Sequence, residues 1–149
     1  MKHIISLLTI LLFVTVTSQS QFVYNENQRR GLDELYASQL FKGGNAYYVS
    51  PADDPTSQGS LTIFQYLQGR IPGLQINNSR MYAPFVQFRM STPAFFLDEM
   101  RVDASVLATL NINDIGLVKV FRPPFMPAIG GGPGGAVAVY TLTGEDEEE

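Results

Sequence analysis

The hydrophobic positions of this chain keep two rhythms. Leu61, Phe64, Leu67 and Ile71, joined by Ile63, recur at three- and four-residue spacing, which predicts a helix with Ser60 as its N-cap. Pro72 disfavours helix at Ile71, and Gly73 can take a positive φ, so the helix should stop by Arg70 and Leu74 to Asn77 should be extended. From Phe85 to Met90 the period becomes two, with Val86, Phe88 and Met90 on one side and Gln87 and Arg89 on the other, a half-buried strand. Ala94 to Leu97 is apolar throughout and fits a more central strand. Asp103 is placed to cap a short helix carrying Val106, Leu107 and Leu110. Leu117 to Phe121 and Ala136 to Leu142 read as strands. The Pro- and Gly-rich stretch between them cannot be helix or central strand for most of its length. The order αββαββ with short connections predicts an α+β fold, a small mixed sheet of about four strands with two helices on it.

The part before residue 60 is organised differently. Leu32, Leu35, Tyr36 and Leu40 predict an amphipathic helix over Gly31 to Phe41, ended by Gly43-Gly44-Asn45. Ala46 to Val49 suits a short strand, and Ser50 to Gly59, with two Pro and paired Asp, reads as a linker. At the start, Met1-Lys2-His3 is followed by an apolar run of 13 residues, Ile4 to Val16, and then by small polar residues. That is the order of a secretory signal peptide, and the run is shorter than the roughly 18–20 residues of a membrane-spanning helix. Cleavage is expected after Ser18 or Ser20, an uncleaved anchor being the alternative, and no Cys follows the run to carry a lipid. The expected organisation is therefore a signal peptide (1–20), an N-terminal helix and flexible linker (21–59), a compact domain (60–144) and an acidic tail (145–149).

Composition removes several function classes. The chain has 149 residues, no Cys, and a single His at position 3, inside the expected signal peptide. The mature part cannot build a Ser-His-Asp triad, a Cys-His pair or a His-ligated zinc site, so no cofactor or metal is expected. The net charge of −4 is local: five of the 14 acidic residues lie in Glu145–Glu149, and residues 21–144 hold nine acids and nine bases. A neutral body offers no basic patch for nucleic acid.

With the elements placed, a family pattern emerges. Gln68-Gly69-Arg70-Ile71-Pro72-Gly73-Leu74-Gln75-Ile76 resembles the "QGRVAGVQI" segment of TonB-dependent receptor plug domains. In order after it, "VQFRM" stands where the family has "IRIRG", "FFLDEMRVD" resembles "yvvDGvpv", "LNINDIGLVKV" resembles "inpnDIesIeVLK", and "IGGGPGGAVAVYTLTG" resembles "YGsrganGVIlItTkkG". The resemblance covers Leu61 to Gly144 and implies a plug-like fold. It departs at Asp98-Glu99, where the family has Asp-Gly, and at Met90, where it has Gly. In such receptors the plug sits inside a barrel of about 22 strands, blocks the pore and is moved by TonB. This chain is too short to hold such a barrel as well, and Gln21 to Asn27 carries no TonB box.

The remaining candidates divide into chemistry and contact. Gly130, Gly132 and Gly135 satisfy G-x-G-x-x-G as letters, but a Val-rich strand rather than a helix should follow, so nucleotide binding is not expected. Asp98, Glu99 and Asp103 would be the acids of a carboxylate-only enzyme, against their reading as a turn and a cap. Phe121, Arg122, Phe125 and Met126, held extended by Pro, either fill a partner's pocket or fold back over their own sheet. Gly69, Arg70, Pro72 and Gly73 form the structural junction, Arg70 being its expected surface contact. The resulting expectation is no enzyme. It is a secreted plug-like module of the Gram-negative envelope that binds a periplasmic or outer-membrane protein and is at most peripheral to the membrane. The alternative is a remnant of a receptor or larger envelope protein.

Overall fold

The computed structural model describes residues 24–77, 84–126 and 130–142. The expected signal peptide, the turn after Asn77, Pro127 and the acidic tail lie outside the described residues. The architecture is α+β, built from a five-stranded mixed sheet and a separate two-stranded hairpin. The elements in chain order are α1 (Glu26–Tyr36), β1 (Ala46–Val49), α2 (Ile63–Leu67), β2 (Leu74–Asn77), β3 (Phe85–Phe88), β4 (Ala94–Leu97), β5 (Met100–Val102), α3 (Ala104–Ala108), β6 (Ile115–Phe121) and β7 (Ala136–Thr141). The large sheet runs β1-β6-β7-β4-β5, with β4 and β7 parallel and the other neighbours antiparallel. The large sheet has five strands rather than the expected four because β1 and the unpredicted β5 join it at its two edges, while β2 and β3 leave it to pair only with each other.

Both faces of this sheet are covered. On the first, Val118, Val120, Val137, Val139 and Phe95 meet α2, α3 and the β2–β3 hairpin. On the second, Leu117, Phe121, Ala138, Tyr140 and Phe96 meet Phe41 and residues of α1. Every residue of β6 is buried. Ile115 and Val118 share the first face although their positions differ in parity. A register shift between Ile115 and Leu117 makes that possible, because one irregularity sends the following side chains to the opposite side.

α1 starts five residues earlier than the apolar spacing predicts. Asn25 and Gln28 form a capping box, each side chain accepting from the other's backbone N–H at 2.9 and 3.0 Å. The helix ends at Tyr36, and Leu35 and Leu40 are left about half exposed. Only Leu32 and Tyr36 of the predicted stripe lean on the sheet, and the residue this helix buries is Asp33.

The helix-to-strand junction follows its local sequence more closely. α2 is capped by Thr62 rather than Ser60, which leaves Leu61 at 80% exposure. Gly69 and Gly73 both take positive φ, and a Cβ on Gly73 would lie 3.1 Å from the Phe88 ring. β3 ends at Phe88, so Met90 does not continue the buried side: it is 91% exposed in a tight turn with φ of 71°. Asp98 and Glu99 likewise take φ of 45° and 67° between β4 and β5. Two positive φ values in a two-residue hairpin turn match the twist of the flanking strands. Glu99 thus adopts the conformation that the family's Gly would, at the steric cost of a side chain in the left-handed region.

Candidate functional site

The four expected contact residues are split by the fold. Phe121 is the last residue of β6 and is buried. After the cis Pro123–Pro124 peptide the chain turns back, and the Phe125 ring stacks on Phe121 with centroids 4.2 Å apart. Phe125 also approaches Phe41 at 5.8 Å and Phe96 at 6.3 Å. Its backbone exchanges two hydrogen bonds with Gly132. Arg122 donates its backbone N–H to the Asn45 carbonyl and lays its guanidinium over the Tyr47 ring, 4.4 Å from the centroid. Met126 is turned to solvent at 75% exposure. Of the two sequence readings of this loop, Phe121 and Phe125 follow the one in which it covers its own sheet. Phe125→Ala should therefore lower stability by about 2 kcal/mol, below the cost at a fully enclosed Phe because this ring is half-buried. A melting temperature unchanged within about a degree would contradict this packing.

The junction residues are also engaged within the chain. Arg70 donates to Asp54 Oδ2 at 3.0 Å and to Thr56 Oγ1 at 2.7 Å, with its guanidinium 4.2 Å from the centre of the Tyr66 ring. The Tyr66 hydroxyl donates to the same Asp54 oxygen at 2.9 Å. Burial alone would push the Asp54 pKa up. Hydrogen bonds from Thr56 and Tyr66 and the Arg70 charge outweigh it and hold the carboxyl below its ordinary value. Burial, then Asp54, pushes the Tyr66 hydroxyl well above its ordinary value. Arg70 is exposed, and it also ties the junction to the stretch read as a linker. Within that stretch Pro55–Gly59 forms a 3-10 turn with Asp54 as its cap.

A second polar network was not visible in the sequence. Lys119, in the middle of β6, is fully buried on the second face of the sheet. Its Nζ donates to Asp33 Oδ1 and to the Phe41 carbonyl, and it lies 4.6 Å from the Tyr48 ring centre and 5.2 Å from that of Phe121. The other Asp33 oxygen accepts from the Tyr48 hydroxyl at 2.8 Å and from the Gly43 N–H at 2.7 Å. Burial lowers the Lys119 pKa, opposed by the Asp33 carboxylate and more weakly by Glu99. The one available signal was a lysine inside the otherwise apolar run IGLVKVF. Beside this network, between α1 and the turn at Lys42–Gly44, opens a cleft of about 310 Å³ with Asp33 and Tyr48 in its wall.

Two of the three acids, Asp98 and Glu99, make hydrogen bonds within the chain. Asp98 accepts from the Thr141 N–H and hydroxyl at 2.9 and 3.0 Å, and Glu99 accepts from the Ser38 N–H at 2.6 Å. Asp103 occupies the N-cap position of α3 without a side-chain capping bond. The glycines at 130, 132 and 135 lead into β7. Among the described residues, no helix is long and apolar enough to cross a membrane.

No family model and no curated protein sequence matches the chain. Solved structures do. The RagAB peptide importer in its open-open state aligns over 66% of this chain and 12% of its own, with 24% identity and a TM-score of 0.53. The closed-closed state aligns over 71% and 13%, also with 24% identity and a TM-score of 0.53. The siderophore receptor PirA from Pseudomonas aeruginosa aligns over 68% and 19%, with 19% identity and a TM-score of 0.49. These are TonB-dependent receptors, and the likeness to RagAB shows the fold: this chain is plug-like. It spans about an eighth of the length of the RagAB chains it aligns with.

Proposed function

We propose that this chain is a plug-like module of the bacterial envelope that works by contact with protein partners at the outer membrane or in the periplasm. It does not transport or catalyse on its own. The observation that supports this most directly is a plug-like fold whose sheet is covered on both faces by its own chain, with long apolar side chains left outside at its turns. Met90 is 91% exposed, Leu61 80% and Met126 75%. A domain that completes its own core does not need a barrel wall to fold, and apolar side chains at loop tips are the kind of surface a partner covers. Export rests on residues 1–20, read as a signal peptide. No catalytic role is assigned to Asp98, Glu99 or Asp103.

The second reading is a plug-like portion of a receptor, favoured by the small share of the RagAB chains that it spans. Cell fractionation with in-cell cross-linking tests the proposal. The full chain should appear in the envelope, cross-linked to defined outer-membrane or periplasmic proteins. Met90→Lys with Met126→Lys should lose those adducts while melting at the wild-type temperature. Recovery in the cytoplasm, or adducts indifferent to both substitutions, would defeat the proposal. A barrel encoded in frame with this chain would decide for the second reading.

A further inference from the structure

A fold that covers the faces of its sheet can still take a partner at an open edge, where backbone N–H and C=O groups lack a neighbouring strand. The edges here are not equally protected. β5 carries the exposed Arg101 at its centre, a charge of the kind that discourages strand addition. On β1 the outward N–H of Ala46 is taken by the Gly44 carbonyl. On β3 the outward N–H and C=O of Phe88 are both bonded to Ser91. β2 has none of these devices: its residues Leu74-Gln75-Ile76-Asn77 include no charge and no Pro, and its register is regular.

The register also shows which groups of β2 face outwards. Arg89 donates to the Gly73 carbonyl, so alternation makes Gln75 and Gln87 the next hydrogen-bonded pair, and the backbone groups of Leu74 and Ile76 point away from β3. The Leu74 N–H turns back to the Ile71 carbonyl. No backbone hydrogen bond among the described residues reaches the Leu74 carbonyl or either group of Ile76. Leu74 and Ile76 keep 7% and 8% exposure, against 2% and 1% for Val86 and Phe88 of β3, although all four side chains share one core. The hairpin itself is only two strands wide, a width that is marginal in water.

We propose that β2 is a self-association edge, at which two copies of this chain pair β2 against β2, antiparallel, about a two-fold axis through Gln75. Each Ile76 N–H then donates to the Leu74 carbonyl of the other copy, and the two hairpins become one four-stranded sheet. The side chains suit this symmetric register. The apolar Leu74 and Ile76 lie opposite Ile76 and Leu74 of the second copy, and the exposed Gln75 lies opposite its counterpart, so polar and apolar faces coincide. No like charges meet along the strand, and at the axis two side-chain amides can each donate and accept. Because the outward groups of Phe88 are bonded to Ser91, the enlarged sheet ends there and assembly stops at two copies. With so short an edge, the association is weak and concentration-dependent.

The test is sedimentation of the full chain, which should show a monomer–dimer equilibrium. Gln75→Lys and Gln75→Glu set like charges against each other at the axis, and each alone should weaken the dimer about fivefold. An equimolar mixture of the two sets opposite charges there and should recover the wild-type strength. Gln75 is exposed, and an unchanged circular dichroism spectrum shows that each variant is folded. Gln75→Cys reads proximity directly, because the chain has no Cys of its own. Facing residues in a pair of this kind have Cα atoms about 4.5 Å apart, within disulfide reach. This variant should oxidise to a linked dimer much faster than Glu34→Cys, at an exposed site on α1. A chain that stays monomeric up to about 1 mM would overturn the assignment. So would a dimer indifferent to both charges, a mixture that recovers nothing, or cross-linking no faster than at Glu34.

Discussion

Asp33→Ala is expected to cost about 3–5 kcal/mol of stability at neutral pH, measured by urea denaturation, because it strands a buried ammonium group. Lys119 is fully buried, and without Asp33 its Nζ keeps only the Phe41 carbonyl and the faces of two rings. The reverse change, Lys119→Met, should cost clearly less. Asp33 would keep two donors, the Tyr48 hydroxyl and the Gly43 N–H, and a methionine fills much of the volume. Combining Asp33→Leu with Lys119→Met should return most of the loss, since a buried ion pair replaced by apolar groups is often neutral or better. The pH dependence has a definite sign. Burial holds the folded-state pKa of Lys119 below its ordinary value, so between the two values the unfolded chain binds more protons and stability rises with pH. Removing Asp33 takes away the main support of the charged form. The deficit of Asp33→Ala should therefore shrink as the pH rises toward the usual lysine range near about 10. A cost below about 1 kcal/mol, or Lys119→Met proving as damaging as Asp33→Ala, would show that the pair does not act as the geometry implies.

Gly135→Ala is the second large effect, expected at roughly 3 kcal/mol or more. Two causes add. Gly135 has φ of 76°, a region that costs an L side chain roughly 1–2 kcal/mol. Its Cβ would also collide with the Phe121 carbonyl oxygen, with Pro123 N at 3.2 Å behind it. Overpacking of this kind adds about 1–3 kcal/mol, and a backbone atom cannot swing aside as a side chain does. The position is also structurally central, because the Gly135 carbonyl accepts from Ala94 at the start of the parallel β4–β7 ladder. Gly132→Ala is the internal comparison. Nothing lies within 4 Å of a Cβ there, so its change should stay within about 0.5 kcal/mol. Equal melting temperatures for the two variants would refute the close approach at Gly135.

Much of the fold was legible because the features that set it are adjacent in the chain. The stop at Pro72-Gly73 is written in consecutive residues, and β2 begins at Leu74 as the pattern predicts. β4, β6 and β7 are short β-branched or aromatic runs and appear within about two residues of their expected bounds. The helix α1 begins earlier than its apolar spacing predicts because the Asn25–Gln28 capping box sets its start, and a mainly polar helix is set more by its cap than by a stripe. Met90 was misassigned because strict alternation gives no notice of where a strand turns. The candidate site was legible only in part. The loop from Phe121 to Met126 stood out by composition. Whether its rings would meet a partner or their own sheet depended on Phe41 and Phe96, which no local pattern connects to it.

The sequence alone determined the element order apart from β5, the α+β class, the plug-like resemblance and the lack of His and Cys chemistry in the body of the chain. These follow from residue type and from spacings of two, three or four, which the backbone geometry of strand and helix enforces locally. Only the tertiary structure decided that β1 lies at the edge of the large sheet beside β6, that the stretch read as a linker is bound to Arg70, and that Lys119 meets Asp33 across 86 residues. A buried charge reveals its partner only once the chain has folded back on itself. Burial then makes the pairing far stronger than it would be in water, and nothing in the local sequence encodes that distance.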